Sequence, residues 1–167
     1  MIEQLRIGIG HDTHRLGTGN YMMIGGVRIE YSRTLLGHSD ADVLLHAISD
    51  ALLGATGCGD IGEMFPDTEP TNANIDSAII LKSICSKIYS ENWKVINIDT
   101  IIFAEKPKFS PYKEKIRNRI AEIISINPSQ INIKAKTGEH IGIIGREEAI
   151  SAQCVALLYK KNATVGN

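Results

Sequence analysis

Residues 10–19 read "GHDTHRLGTG" and follow directly on the alternating run "LRIGIG" of residues 5–10. Alternation of period two marks a strand, and residues two apart on a strand point to the same face. Asp12 and His14 are therefore a pair, while His11 and Thr13 point the other way. An aspartate and a histidine side by side are metal-ligand types, but two ligands do not make a site. What the rest of the chain brings to them decides the fold.

The partner segment is "HSDADVLLHAISDALLGATGCG", residues 38–59. Leu44, Leu45, Ile48, Leu52 and Leu53 recur at helical spacing and form an apolar stripe. Ser39 or Asp40 is placed to cap the start, and Gly57 or Gly59 the end. Asp42, His46 and Asp50 recur every four residues, so they share a helix face beside the stripe. A lone helical histidine is more often a core or boundary residue than a ligand. Here Asp and His stand where a solvated face favours Lys and Glu. If this helix packs on the first strand, His46 meets Asp12 and His14. Two histidines and one carboxylate with a fourth position open make a catalytic-type Zn²⁺ arrangement.

The remaining segments fill in one α/β architecture. "YMMIGGVRIEY" reads as a hairpin turning at Gly25–Gly26. "DIGEMFPDTEPTNAN" is a loop too long for a simple connection, and Asp76 opens a second helix, "DSAIILKSICSKIYSEN". "WKVINIDTIIFAE" is a strand stopped by Pro107, and Pro111 begins a third helix. "INIKAKTG" and "AISAQCVALLYK" are the last strands. Strands interleaved with helices predict an α+β sandwich, a mixed sheet with helices on one face, as one domain over residues 1–160 and a tail over 161–167.

Bulk properties exclude several classes. The chain has 167 residues and a formal net charge of −1, so no chain-wide basic surface invites nucleic acid. Three cysteines without CxxC spacing are no disulfide framework and point to a reducing compartment. "MIEQLRIG" has no signal-peptide apolar region, and no apolar run is long enough to span a bilayer. A cytoplasmic protein without a membrane partner is expected.

Other segments carry weaker signals. Ser39 is as readily an N-cap as a donor to an anion at the helix start, where His38 adds a second donor. Asp60 and Asp67 are either solvated turn formers or partners for the hydroxyls of a polyol. Pro107 and Pro111 bracket Lys108 in a strand-to-helix connection whose stiff backbone is also suited to a nucleobase edge. Thr137, Gly138 and Glu139 end a strand in a pattern compatible with phosphate and Mg²⁺. Lys134 and Lys136 share one face of that strand.

Taken together, "DTHRL", "LLGHSDADVLLHAISDALLGA", "GDIGEMFPDT", "PK" and "GRE" resemble the 2-C-methyl-D-erythritol 2,4-cyclodiphosphate synthase family, over Arg6 to about Lys160. The resemblance implies a homotrimer with sheets around a central channel and active sites between neighbouring subunits. It implies Asp12, His14 and His46 as Zn²⁺ ligands, with Asp12 and His14 close to substrate. His38–Ser39 matches the loop beside the diphosphate. Asp60, Ile61 and Gly62, with Phe65, Pro66, Asp67, Thr68 and Glu69, match the segment that holds the methylerythritol end. Ala104 with Pro107, Lys108, Phe109 and Ser110 matches the cytidine pocket. Ala135, Lys136, Thr137 and Glu139 match the strand end at the nucleotide phosphates, with Glu139 a ligand of Mg²⁺ or Mn²⁺. His38 and Thr137 match transition-state stabilisers, and Ile143 and Arg146 fall at the channel. This chain departs from the family's usual pattern at His11 and Ile143, where aromatic residues are common, and at Lys136, where a small hydroxyl is usual.

The reaction implied is intramolecular phosphoryl transfer. The 2-phosphate of 4-diphosphocytidyl-2-C-methyl-D-erythritol 2-phosphate closes on the β-phosphorus and expels CMP. Two other classes fit fragments of the sequence. The His11–Asp12 doublet resembles that of metal-dependent phosphohydrolases. A trimeric module binding isoprenoid diphosphates without catalysis would share the same segments.

Overall fold

The computed structural model describes residues 4–66, 68, 69 and 75–161. Strand β1 spans Gln4–Thr18, followed by β2 (Tyr21–Ile24), β3 (Val27–Glu30) and β4 (Arg33–Leu36). Helix α1 (Val43–Thr56), the single turn α2 (Ile61–Met64) and α3 (Ser77–Ser90) come next. Then follow β5 (Trp93–Phe103), α4 (Lys113–Ile124), β6 (Ile131–Lys136), the short α5 (Gly142–Gly145) and β7 (Ala149–Lys160). The main sheet has the order β4-β1-β7-β5-β6; β5 and β6 run parallel and the other pairs antiparallel. The mixed sheet with helices on one face, expected from the sequence, is what the chain forms.

The "LRIGIG" alternation has an unusual consequence. Gly8 and Gly10, not the isoleucines, face α1. A Cβ at Gly8 would lie 1.8 Å from the Ala51 carbonyl oxygen, and one at Gly10 would lie 1.9 Å from that of Ala47. Missing side chains on the strand meet alanines on the helix, so the two backbones touch directly. The α1 stripe of Leu44, Leu45, Ile48, Leu52 and Leu53 is fully buried, and each such side chain contributes ~1.5–3 kcal/mol. On the opposite face of β1, Leu5, Ile7 and Ile9 remain 56, 71 and 70% exposed. Val155, paired with Ile9 across β7, extends this bare apolar strip.

The helix start departs from expectation. The N-cap is Asp42 rather than Ser39 or Asp40, because Ala41 sits in the left-handed region (φ 57°) and interrupts the helix before it. Asp42 is fully buried and accepts backbone N–H bonds from Leu44 and Leu45 in α1 and from Gly25 and Gly26 in the hairpin. Gly25 and Gly26 both have positive φ, as a two-residue hairpin turn requires. One carboxylate thus ties the β2–β3 turn to the start of α1. Gly57, in the left-handed conformation, closes the helix as expected. Asp76 caps α3, and Pro111 lies in a one-turn 3₁₀ segment that leads into α4. The period-two reading missed β4, too short to alternate visibly, and the single turns α2 and α5.

Candidate metal centre and cleft

Close contact between β1 and α1 brings His46 onto the strand end. Asp12 Oδ2 lies 2.9 Å from His46 Nδ1 and 3.0 Å from His14 Nε2, and the two ring nitrogens are 3.2 Å apart. Ligand–metal distances of ~2.0–2.2 Å in a tetrahedral site give ligand edges of roughly 3.3 Å, so this triangle has the dimensions of a Zn²⁺ face. His11, on the opposite face of β1, is exposed and its Nε2 rests 3.2 Å from Thr13 Oγ1. His11 and Asp12 therefore do not converge on one point, which removes the phosphohydrolase-like doublet.

The donor set also fits a cation electronically. His14 Nδ1 lies 3.1 Å from the Leu36 carbonyl oxygen, which can only accept, so Nδ1 keeps a proton and Nε2, facing Asp12 Oδ2, is the nitrogen available to a cation. The Thr13 N–H donates to Asp12 Oδ1 at 2.8 Å, leaving Oδ2 for the centre. Burial alone would push the Asp12 carboxyl up. Hydrogen bonds and charge attraction from His14 and His46 outweigh it and hold Asp12 well below the usual carboxylate range. Burial tends to lower His14, but the Asp12 carboxylate raises it above its ordinary value. Each group thus stabilises positive charge between them.

Of the helix face Asp42–His46–Asp50, only His46 enters this nest. Asp42 is spent on capping, and Asp50 accepts the Ile61 N–H at 2.9 Å, fixing the entry to α2. Asp60 caps α2 through the Glu63 N–H at 2.9 Å. A cleft of about 270 Å³ opens beside the nest, lined by His14, Gly37, His38, Ser39, His46, Ile61, Gly62, Phe65, Ile75 and Ile80. Of the expected methylerythritol-end segment, Ile61, Gly62 and Phe65 line this cleft, with His38 exposed at the rim. Pro66, Thr68 and Glu69 continue the chain beyond that lining, and Asp67 lies outside the described residues. A wider groove of about 550 Å³ between β3 and α4 is lined by Arg28, Glu114, Lys115, Arg119 and Glu122. Among the described residues it gathers no metal-type ligand triad.

A second group of expected residues lies elsewhere. Ala104, Pro107, Lys108, Phe109 and Ser110 follow β5, and Ala135, Lys136, Thr137 and Glu139 end β6; none lines the cleft. Ala104 and Phe109 are buried in this chain. Thr137 Oγ1 donates to Glu139 Oε1 at 3.1 Å on an exposed turn. Glu105, which the sequence reading passed over, holds this turn: its Oε2 accepts the N–H of Gly138 at 3.1 Å and of His140 at 3.4 Å. An acid one step before Lys106–Pro107, at the end of a strand, was the signal available in the sequence. Ile143 is exposed, and Arg146 is engaged by Glu148 through Nε at 2.8 Å.

Comparisons with known proteins agree with this arrangement. The profile of the YgbB family matches residues 5–159. A 2-C-methyl-D-erythritol 2,4-cyclodiphosphate synthase of Fusobacterium nucleatum is 50% identical over 157 residues, covering 94% of this chain and 98% of that protein. The IspF–CDP complex of Plasmodium falciparum superposes with a TM-score of 0.83 at 37% identity, over 95% of this chain and 97% of that one. The bifunctional IspDF of Campylobacter jejuni superposes with a TM-score of 0.91 at 36% identity; the match spans 95% of this chain and 43% of that larger protein. With a strand-borne Asp-x-His, a helical histidine and a family match along nearly its whole length, the chain belongs to the YgbB family, that of the 2-C-methyl-D-erythritol 2,4-cyclodiphosphate synthases.

Proposed function

We propose that the protein converts 4-diphosphocytidyl-2-C-methyl-D-erythritol 2-phosphate to 2-C-methyl-D-erythritol 2,4-cyclodiphosphate and CMP, as an enzyme of isoprenoid precursor synthesis in the cytoplasm. The observation that carries the reading is the Asp12–His14–His46 triangle opening into the 270 Å³ cleft. Attacking and attacked phosphates are both anionic, so the obstacles are repulsion and a floppy chain. Catalysis is then positioning and charge neutralisation, with no general base required. Asp12, His14 and His46 would hold one Zn²⁺, and Glu139 would contribute to a site for Mg²⁺ or Mn²⁺ on the diphosphate. Such cations supply Lewis-acid polarisation of phosphate oxygens and neutralise charge on the leaving CMP.

The chain's own groups do the rest. His38 and Ser39 at the cleft rim donate to the diphosphate, and Asp60, Ile61 and Gly62 face the methylerythritol hydroxyls. The stiff Pro107–Ser110 segment reads cytosine through its backbone, and Lys108 offers charge to phosphate. Thr137 stabilises the transition state. Because the β5–β6 end does not line the metal cleft, we assign a complete site to two subunits, each giving one half. A homotrimer joined through the bare Leu5–Ile7–Ile9 face accounts for both features. Among the described residues no helix is long and apolar enough to cross a membrane.

One assay tests the reading: CMP and cyclodiphosphate are followed together, with and without a chelator. Stoichiometric release of both, lost on chelation and restored by Zn²⁺ with Mg²⁺, is expected. Inorganic phosphate release from simple phosphoesters, or ligand binding without CMP, would overturn it.

A further inference from the structure

We propose that Asp40 and Ser77 are positioning residues for the metal nest: together they fix which ring nitrogen of His46 carries the proton, leaving Nδ1 free for a cation. The inference rests on the metal reading above. It starts from the direction of one hydrogen bond. Ser77 Oγ donates to Asp40 Oδ1, since a carboxylate only accepts. A hydroxyl has a single proton. With that proton given to Asp40, Ser77 can only accept at its other close contact, His46 Nε2 at 2.9 Å. Nε2 then carries the hydrogen, and a neutral imidazole has only one. His46 Nδ1 faces Asp12 Oδ2 at 2.9 Å and His14 Nε2 at 3.2 Å; a proton it shares with the Asp12 carboxylate is the one a cation displaces, while Nε2 keeps its own hydrogen. The reverse direction at Ser77 would keep the ring's only hydrogen on Nδ1, where the cation belongs.

The surroundings support a dedicated relay. Ser77 is fully buried in the first turn of α3, yet the helix cap is already supplied by Asp76, which accepts the Ala78 N–H at 2.8 Å. The Ser77 hydroxyl is therefore not needed for the helix. Asp40 is anchored by its own N–H to the Ile75 carbonyl at 3.3 Å, so its carboxylate is held against α3. Ser39 Oγ also lies 3.1 Å from His46 Nε2, accepts the Ala41 N–H at 3.1 Å and sits 3.5 Å from Ser77 Oγ. Among the described residues no carboxylate fixes its direction, so Ser39 follows the polarity that Asp40 imposes. The arrangement is a carboxylate–histidine–metal relay with a hydroxyl interposed. Outer partners of this kind set tautomer, ring orientation and ligand basicity.

The test uses the full-length protein with two readouts: imidazole nitrogen NMR of the metal-free form, which reports the tautomer of His46, and Zn²⁺ affinity by competition with a chromophoric chelator. A thermal melt confirms that each variant is folded. Wild-type His46 is expected to carry a hydrogen on Nε2. In Asp40→Asn the amide can donate back to the hydroxyl, so the form with a hydrogen on Nδ1 alone should become populated and Zn²⁺ affinity fall ~10–100-fold. Ser77→Ala should lose less, since Ser39 remains, and Ser77→Thr, which keeps the hydroxyl, should retain wild-type tautomer and affinity. An Asp40→Asn protein with unchanged tautomer and affinity within about twofold of wild type overturns the proposal. Failure of the wild type to bind Zn²⁺ would sink the metal reading instead, and the tautomer alone would still decide the relay.

Discussion

The two faces of β1 are built on opposite plans. Towards α1 the strand presents Gly8 and Gly10, then Asp12 and His14; towards the outside it presents Leu5, Ile7 and Ile9, then His11. The apolar side chains lie bare and the glycines are covered. On the inner face, the absence of side chains lets the α1 backbone approach closely enough for His46 to reach Asp12 and His14. On the outer face, apolar area left exposed within one chain is a surface awaiting a partner. A single strand thus separates what one subunit completes alone, the metal nest, from what it shares in the proposed trimer.

The sharpest way to break this contrast is Gly10→Val. Its Cβ would start 1.9 Å from a backbone oxygen of α1, which cannot move aside as a flexible side chain would. Overpacking typically costs 1–3 kcal/mol, and displacing a whole helix should cost ~3 kcal/mol or more. Thermal unfolding and bound Zn²⁺ should fall together; a variant with wild-type stability and full Zn²⁺ would show that the backbone contact is not required.

His46→Ala should act on the nest alone. Bound Zn²⁺ should drop from about one per chain to none, and turnover should fall by more than the ~10–100-fold typical of changes to outer partners. Metal analysis and the CMP assay check this, with unfolding expected to shift little. Retained Zn²⁺ would exclude His46 as a ligand.

Ile7→Asp probes the opposite face of the same strand. With Ile7 already 71% exposed, folding of the subunit should change by about 0.5 kcal/mol or less. A charge on the bare strip should instead dissociate the assembly, and activity should disappear with it. Light scattering that shows unchanged mass, or a fully active monomer, would break the assignment of this face.

The smallest effect is expected further along the outer face, where Asp99 on β5 pairs with Lys134 on β6 at 2.5 Å. Burial acts to raise Asp99, but hydrogen bonds from Lys134 and Asn132 win and lower it. A lowered carboxyl adds stability above its unfolded pKa and loses it as pH falls through the folded one. Both side chains are about 40% exposed, so screening limits the contribution to ~0.2–1 kcal/mol. Asp99→Asn should remove this small gain at neutral pH and leave the acid limb of the unfolding curve flatter. A cost well above ~1 kcal/mol would mean that the outer face is less open to solvent than its strand pairing implies.

How far the sequence could be read varies with the range of the interaction. Local rules placed the Asp12/His14 parity, the exclusion of His11, the α1 stripe, the Gly25–Gly26 turn and the Asp76 cap, since strand alternation and capping act within a few residues. The family resemblance carried the more distant assignments at His38, Lys108, Thr137 and Glu139. Tertiary structure decided three further things. The first turn of α1 moved to Asp42, because one buried carboxylate serves both a helix and a hairpin distant in sequence. Gly8 and Gly10, an unremarkable alternation on paper, acquire their purpose only from Ala47 and Ala51 on the facing helix. Ser77 and Asp40 join His46 through hydrogen bonds spanning more than thirty residues of chain, and no spacing rule records such contacts. Sequence alone determined the ligand types and their local faces, because these follow from backbone geometry. Only the packing of α1 on a glycine strand decided that the ligands meet, because convergence depends on how closely two backbones approach.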